Sequence, residues 1–494
     1  MKSKLGSAAA ATLAAAAVAA TAAWAGAQQP VVTRTAAVGA AAAAQVNLST
    51  AAGVRTYLRS LGLDPASVVV QRGQRNYAGP KCPGRGWTCT TAARVLQVAR
   101  GDDEDDDDEG GGSNRFECTP SSGGSATPPN SCVIVQSSTG GKNEARCRES
   151  SSLSPVAQSC VITQTNSSGR NRAVAEQEID QRGAFVQEAS QSASVTQNNG
   201  SGANEAEIEQ TILQDTKTKG KPASVVQVQD TTQTVEVDQE TSSGSNSSDV
   251  DQAFEQEASA TSDGSVSQRQ NAAASAFTED DEPDERDISA IVDQVSASGR
   301  NVSELEQTAD QSASVKGKGG AVVQRQGDFD GGLLGDVEQT SAGISKSEAQ
   351  QTERQTLSSK KALSVDQTQI GPLDCCTTQT GNPANRTEIE QSSEQRADAG
   401  SGSDQSDEVN AACATSGNCD IDQSIRQRSG GGGEQNAIAR ADCTAAGNCQ
   451  VEQEVSNDTD SESNSESGQS VFTVTGCTSG GEGSGGCFAG GGPD

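Results

Sequence analysis

Residues 193–210, ASVTQNNGSGANEAEIEQ, alternate small or aliphatic positions with polar ones in two short runs, each ending on a glutamine and joined by a Gly/Asn turn. Successive strand side chains point to opposite faces, so Ala193, Val195 and Gln197 share one face of the first run and Ala206, Ile208 and Gln210 one face of the second. Glu205, Glu207 and Glu209 take the opposite, water-facing side. The pattern predicts a strand-turn-strand unit that buries one small, one branched and one amide side chain per strand. Such a unit is marginal by itself and needs copies to stack against.

The copies are present. An aliphatic residue two positions before a glutamine recurs at Gln71, Gln136 and Gln164, then at Gln181, Gln197, Gln210, Gln227, Gln239, Gln252, Gln268, Gln294, Gln307, Gln324, Gln339, Gln367, Gln391, Gln423 and Gln453. Between Gln181 and Gln252 the intervals are 16, 13, 17, 12 and 13, which places alternate members about 30 apart: Gln181 with Gln210, Gln197 with Gln227, Gln210 with Gln239. Late in the chain CATSGNCDIDQ (413–423) returns as CTAAGNCQVEQ (443–453), again 30 apart. A fixed period in this range marks a repeat array whose units bury their apolar faces only against their neighbours. The expected fold class is all-β, a repetitive β-solenoid over residues 119–455 with a ladder of the glutamines from Gln181 to Gln453. Strands stack about 4.8 Å apart, so an amide at the same place in each coil can bond those above and below. That satisfies a group whose unpaired burial costs roughly 1–3 kcal/mol.

Composition narrows the picture. Aromatic residues make up 2% of the chain, with one Met and no His, so a conventional large-residue core is excluded. Ala and Val with small polar residues suit thin stacked cores or disorder, and the two periodicities favour the stack.

The flanks read differently. Residues 1–27 resemble a secretory signal: Lys2 and Lys4, an Ala-rich run over 8–23 poor in Leu and Ile, then a small-x-small cleavage site. No later stretch is long and apolar enough to span a bilayer, and export without integral membrane association is expected. Residues 28–48 are Ala-rich and expected to be mobile. Residues 49–118 are expected to form a small α+β N-terminal cap, with a helix over 49–63 stopped at Asp64-Pro65 and strands around a Cys-bridged loop holding Tyr77 and Trp87. Eight consecutive acids (102–109) in the loop 101–112, and EDDEPDERD (279–287), read as disordered acidic insertions. Residues 456–494 are expected to be a flexible acidic and Gly-rich tail. No EF-hand or Gly-rich calcium repeat occurs, so cofactors are expected to be none, with only weak, non-specific Ca²⁺ binding by the acids.

Fourteen cysteines, an even number, accompany these export features and predict disulfides. Zinc is disfavoured by the absence of His and by spacers wider than those of the usual Cys ligand pairs. Short loops are expected between Cys82 and Cys89, Cys413 and Cys419, Cys443 and Cys449, and Cys477 and Cys487. The cysteines from Cys118 to Cys160 can pair in several ways, and adjacent Cys375 and Cys376 are expected to bond outward to two partners.

The segment NGSGANEAEIEQ (199–210) resembles the repeat of curlin, the subunit of bacterial curli fibres, in which a Gly-containing turn precedes an Asn-x-Ala-x-aliphatic-x-Gln strand. Asn204, Ala206, Ile208 and Gln210 match it; SGRNVSELEQ follows with Asn301, Leu305 and Gln307, and GNPANRTEIEQ with Asn385, Ile389 and Gln391. The likeness extends in diluted form over most of 130–455. It implies stacked strands, turn asparagines at Asn204, Asn301 and Asn385, and self-assembly.

The formal net charge of −31 becomes −33 without Lys2 and Lys4. Nucleic acid and anionic lipid are poor partners for it. Without His, Ser-His-Asp and Cys-His catalysis is excluded, and no nucleotide-binding fingerprint occurs. A carboxylate-pair glycosidase would need aromatic sugar platforms, and 130–455 has no Tyr or Trp. Two non-enzymatic classes remain. One is a secreted, curlin-like structural component of the cell surface or matrix, partnering itself or other surface proteins. The other is a monomeric capped solenoid acting as an adhesin or ligand-binding stalk.

Overall fold

The computed structural model describes residues 69–72, 88–90, 94–98, 114–118, 130–138, 469–479 and 140–459, the last apart from short stretches of which 272–287 is the longest. Every element among these residues is a strand, and every strand pairing is parallel. The expected all-β solenoid is the fold.

One turn of the solenoid has two arms. Ser224–Thr241 is a first arm, the tight turn 242–244 follows, and Ser245–Thr261 is the second. The arms do not pair with each other as a hairpin would. Each pairs with the same arm of the coils before and after it: Asp249, Val250, Asp251 and Gln252 lie beside Glu207, Ile208, Glu209 and Gln210 on one side and beside Glu304, Leu305, Glu306 and Gln307 on the other. Alternating side chains of both arms point into a shared interior. Val195, Val237, Val292 and Val337 stack in the first arm; Ile208, Val250, Leu305, Ile389, Ile421 and Val451 stack in the second, all buried in one continuous cluster. Two sheets packed by small and aliphatic residues need few aromatics, which is why the composition suffices.

The period is not constant. Rung-to-rung offsets are 28 from Asn143 to Asn171, 33 from Asn171 to Asn204, 42 from Asn204 to Asn246 and 55 from Asn246 to Asn301. They shorten to 44, 40, 32 and 30 toward Gln453. The interval of about 30 therefore holds at the two ends of the array and fails in its middle coils. Gln181 lies beside Gln214 and not Gln210, Gln197 beside Gln239 and not Gln227, and Gln210 beside Gln252 and not Gln239. Extra residues are accommodated between strands. Ser265–Asn271 and Ile288–Ser296 both pair with the single strand Ser224–Thr241 of the preceding coil, and residues 272–287 lie between them.

At the N-terminal side Val69–Arg72 pairs in parallel with Arg94–Val98, which pairs with Asn130–Ser138, so these strands join the array directly. The helix expected over 49–63, the signal, and the acidic loops 101–112 and 279–287 lie outside the described residues.

The turns demand glycine by proximity. A Cβ on Gly244 would sit 1.7 Å from the Gly202 carbonyl oxygen, and one on Gly299 would sit 1.2 Å from that of Gly244. Successive turns thus stack backbone on backbone, which only glycine allows.

Candidate functional site: amide columns, buried acids and the cysteine stack

The glutamines form several columns. In the first arm, Gln164 Nε2 donates to Gln136 Oε1, Gln197 to Gln164, Gln239 to Gln197, Gln294 to Gln239, Gln339 to Gln294 and Gln379 to Gln339, at 2.7–2.8 Å. Most of these amides also donate across the interior to the second arm of the same coil, as Gln197 does to the Glu205 carbonyl at 2.8 Å and Gln239 to that of Ser247 at 2.9 Å. The columns therefore join rungs along the stack and the two sheets across it.

In the second arm, Gln210 donates to Gln177, Gln252 to Gln210, Gln307 to Gln252, Gln351 to Gln307, Gln391 to Gln351, Gln423 to Gln391 and Gln453 to Gln423. Four residues further on runs a parallel column, which begins at Gln181 and continues through Gln214, Gln256, Gln311, Gln355, Gln395 and Gln427. Gln227, Gln268 and Gln324 make a further column, with Gln367 next in backbone register. The aliphatic-x-Gln pattern does not single out Gln177, Gln351 and Gln379, the columns Gln158–Gln191–Gln233, Gln187–Gln229–Gln270 and Gln369–Gln405–Gln435, or, apart from Gln181, the whole second column. Its signal was the recurring Gln-x-x-x-Gln, because residues four apart on a strand share a face.

Asn114, Asn143, Asn171, Asn204, Asn246 and Asn301 form an amide column at the start of the second arm, each Nδ2 donating to the next Oδ1 at 2.8–3.1 Å. Asn385 stands in the same column but its Oδ1 accepts from the Ser345 amide, since Ser345 occupies the rung before it.

Among the described residues four carboxyl side chains are buried, Glu117, Glu149, Glu353 and Asp407, and of these Glu149 alone stands in an amide column. Glu149 holds the rung before Gln177, which donates to its Oε2, and burial pushes it up to about 8. Glu353 is raised by burial and then by the charge of Asp407. Asp407, 1% exposed, is pushed up to about 7 by burial. Ser393 and the Glu408 amide favour its charged form, yet neither makes a hydrogen bond of normal geometry with its oxygens.

Outside, acids form rows. Glu207, Asp249, Glu304, Glu348, Glu388 and Asp420 are consecutive along the second arm. Burial by neighbouring side chains, then Glu207 and Glu306, raises Asp249; on the first arm burial, then Asp238 and Glu338, pushes Asp293 up to about 6. A shallow hollow of about 340 Å³ lies against Asp374, Asn410, Ala412, Arg440 and Asp442, and Arg440 in it is paired to Glu408.

Disulfides join Cys413 to Cys419 and Cys443 to Cys449, the pairs expected, and Cys118 to Cys132, one of the pairings left open. Cys375 makes no disulfide and faces the core, while Cys376 takes the outer face, so the expected outward pair of bonds is corrected: adjacent strand residues cannot point the same way. Cys82 and Cys487 lie outside the described residues; Cys89 and Cys477 are placed only by backbone register, beside Glu117 and Cys443. Comparison with protein-family models, curated proteins and solved structures finds no match to this chain.

Proposed function

We propose that the chain is an exported, non-enzymatic structural protein of the cell surface or extracellular matrix that assembles end to end through its stacked strands, as the likeness to curlin implies. The observation that carries this reading is the open last rung of the second arm, which precedes the final described strand Gln469–Ser479 of the first arm. Among the described residues Cys449–Thr459 pairs on one side only, with Asn418–Ser429, and it presents Val451 and Gln453 in the columns that run through the rungs before it. An edge whose side chains repeat the interior pattern is a template for another chain. Partners are then further copies or other surface proteins with compatible edges.

The capped monomeric stalk is the second reading, favoured by the outer acid rows. Like charges about 5 Å apart repel by roughly 0.8 kcal/mol even in water, and association lengthens the rows. The test is negative-stain electron microscopy of the oxidised protein lacking residues 1–27, with thioflavin binding on the same sample after a day at pH 7 and pH 4.5. Unbranched dye-binding fibres support the assembling protein. Short rods that never elongate at either pH overturn it in favour of the stalk.

A further inference from the structure

Four cysteines, Cys118, Cys132, Cys147 and Cys160, alternate between the arms at successive half-turns of the solenoid. Cys118 and Cys147 are rung neighbours in the second arm, and Cys132 and Cys160 are rung neighbours in the first. The disulfide Cys118–Cys132 crosses the core with a Cα separation of 6.1 Å. Moving one rung along the stack maps this pair onto Cys147 and Cys160, so the second pair inherits a separation within the range that disulfides span. Both thiols are fully buried and hydrogen-bonded to each other.

We propose that Cys147 and Cys160 are a second cross-core disulfide site, which with Cys118–Cys132 staples three consecutive coils at the start of the array.

The alternatives are less well placed. Cys132, Cys147 and Glu149 bring their ligand atoms within 4.8 Å of one another, which invites a metal. A metal there would need the Cys118–Cys132 bond opened, and it would hold a carboxyl that burial favours as neutral. A Cys132–Cys147 bond would strand both Cys118 and Cys160, whereas pairing one rung apart uses all four.

The oxidant is a small disulfide such as oxidised glutathione. One cysteine thiolate attacks a glutathione sulfur, forming a mixed disulfide and releasing one glutathione thiolate. The other cysteine thiolate then attacks the protein sulfur of that mixed disulfide and releases the second. Both cysteine protons end on the two glutathione thiols, and the disulfide reduced balances the disulfide formed. Burial raises both thiols, so the exchange takes place before the coils close over them.

The proposal does not depend on assembly, and its test uses the full chain refolded in a glutathione redox buffer, alkylated and digested with trypsin without reduction. Cleavage after Arg115, Lys142, Arg146, Arg148 and Arg170 puts Cys118 and Cys132 together in 116–142, Cys147 in the dipeptide Cys147-Arg148, and Cys160 in 149–170. The expected result is the dipeptide linked to 149–170, retained in a Cys118→Ala/Cys132→Ala variant. The proposal is overturned by the dipeptide linked to 116–142, by both peptides alkylated and unlinked after oxidation, or by zinc held stoichiometrically through dialysis of the refolded protein.

Discussion

Asp407 offers a quantitative test of the interior. It sits in the first arm between Gly371 and Ala437 of the adjoining coils, 1% exposed, and its charge raises the buried Glu353 further. Burial raises its carboxyl from 3.8 to about 7, a difference equivalent to about 4 kcal/mol. For an acid raised by folding, the folded state binds more protons than the open state, so stability falls as pH climbs from about 4 through about 7 and is level above. An Asp407→Asn variant mimics the protonated form in shape and polarity. It should match the wild type at pH 4 and exceed it at pH 8 by about 4 kcal/mol in any opening that wets this rung. Hydrogen exchange of peptides covering Ser403–Thr415, corrected for intrinsic rates, reads that opening directly. The wild type should lose protection on going from pH 5 to pH 8 while the variant keeps it. A constant ratio of protection between the two proteins over that range would show that Asp407 is not buried as a neutral acid.

Gln252→Ala removes the bonds to Gln210 and from Gln307 at once and leaves buried amide groups unmatched on both sides; a local loss of about 2–4 kcal/mol is expected in exchange protection of Arg300–Lys316, and none in the last coils. Gly299→Ala drives a Cβ into the Gly244 carbonyl and should cost at least about 2 kcal/mol, read as a lowered melting temperature. The outer rows lose charge on acidification because Asp249 and Asp293 are raised, Asp293 to about 6, so association should increase between pH 7 and pH 4.5 and on adding calcium. Light scattering that stays flat from pH 7 to 4, with and without calcium, sinks that idea.

Much of the interior was legible in the chain. Ala206, Ile208 and Gln210 point inward and Glu207 and Glu209 outward as alternation requires, because a period of two survives any change of partner strand. What alternation does not encode is which strand lies alongside. A hairpin and a two-armed coil share one pattern, so Val195 and Ile208 read equally well as cross-strand neighbours and as residues facing each other across a core. Coil length was hidden for a related reason. Equal spacing in sequence between Gln181 and Gln210 arose from two different columns of the second arm in consecutive coils, and not from one repeat unit. Glu149 and Asp407 were unreadable, because an acid at an inward position in such an acidic chain has no local signature.

The columns explain how coils from 28 to 56 residues long stay in register. A slip of two residues would set Ile208 beside Gln252 and leave amides unmatched along every following rung. A slip of four would put Gln214 over Gln252 and keep one amide pair per coil, but it separates Asn204 from Asn246 and moves the stacked turn glycines off one another. The turn therefore decides the register, and the chain between strands is free to vary in length. Residues 272–287 test this. In the coil beneath, Asn271 lies beside Asp230 and Ile288 beside Gln233, and two residues, Thr231 and Thr232, join those positions. Replacing 272–287 by Thr-Thr should leave Gln294 bonded to Gln239. It should also stabilise the stack by about 2 kcal/mol, since each doubling of a loop costs about 0.6 kcal/mol and sixteen residues become two. Thermal melting and exchange protection of Ile288–Ser296 would report both effects. Loss of protection there, with the rest of the array intact, would mean that the insertion itself sets the register and that the turn column does not.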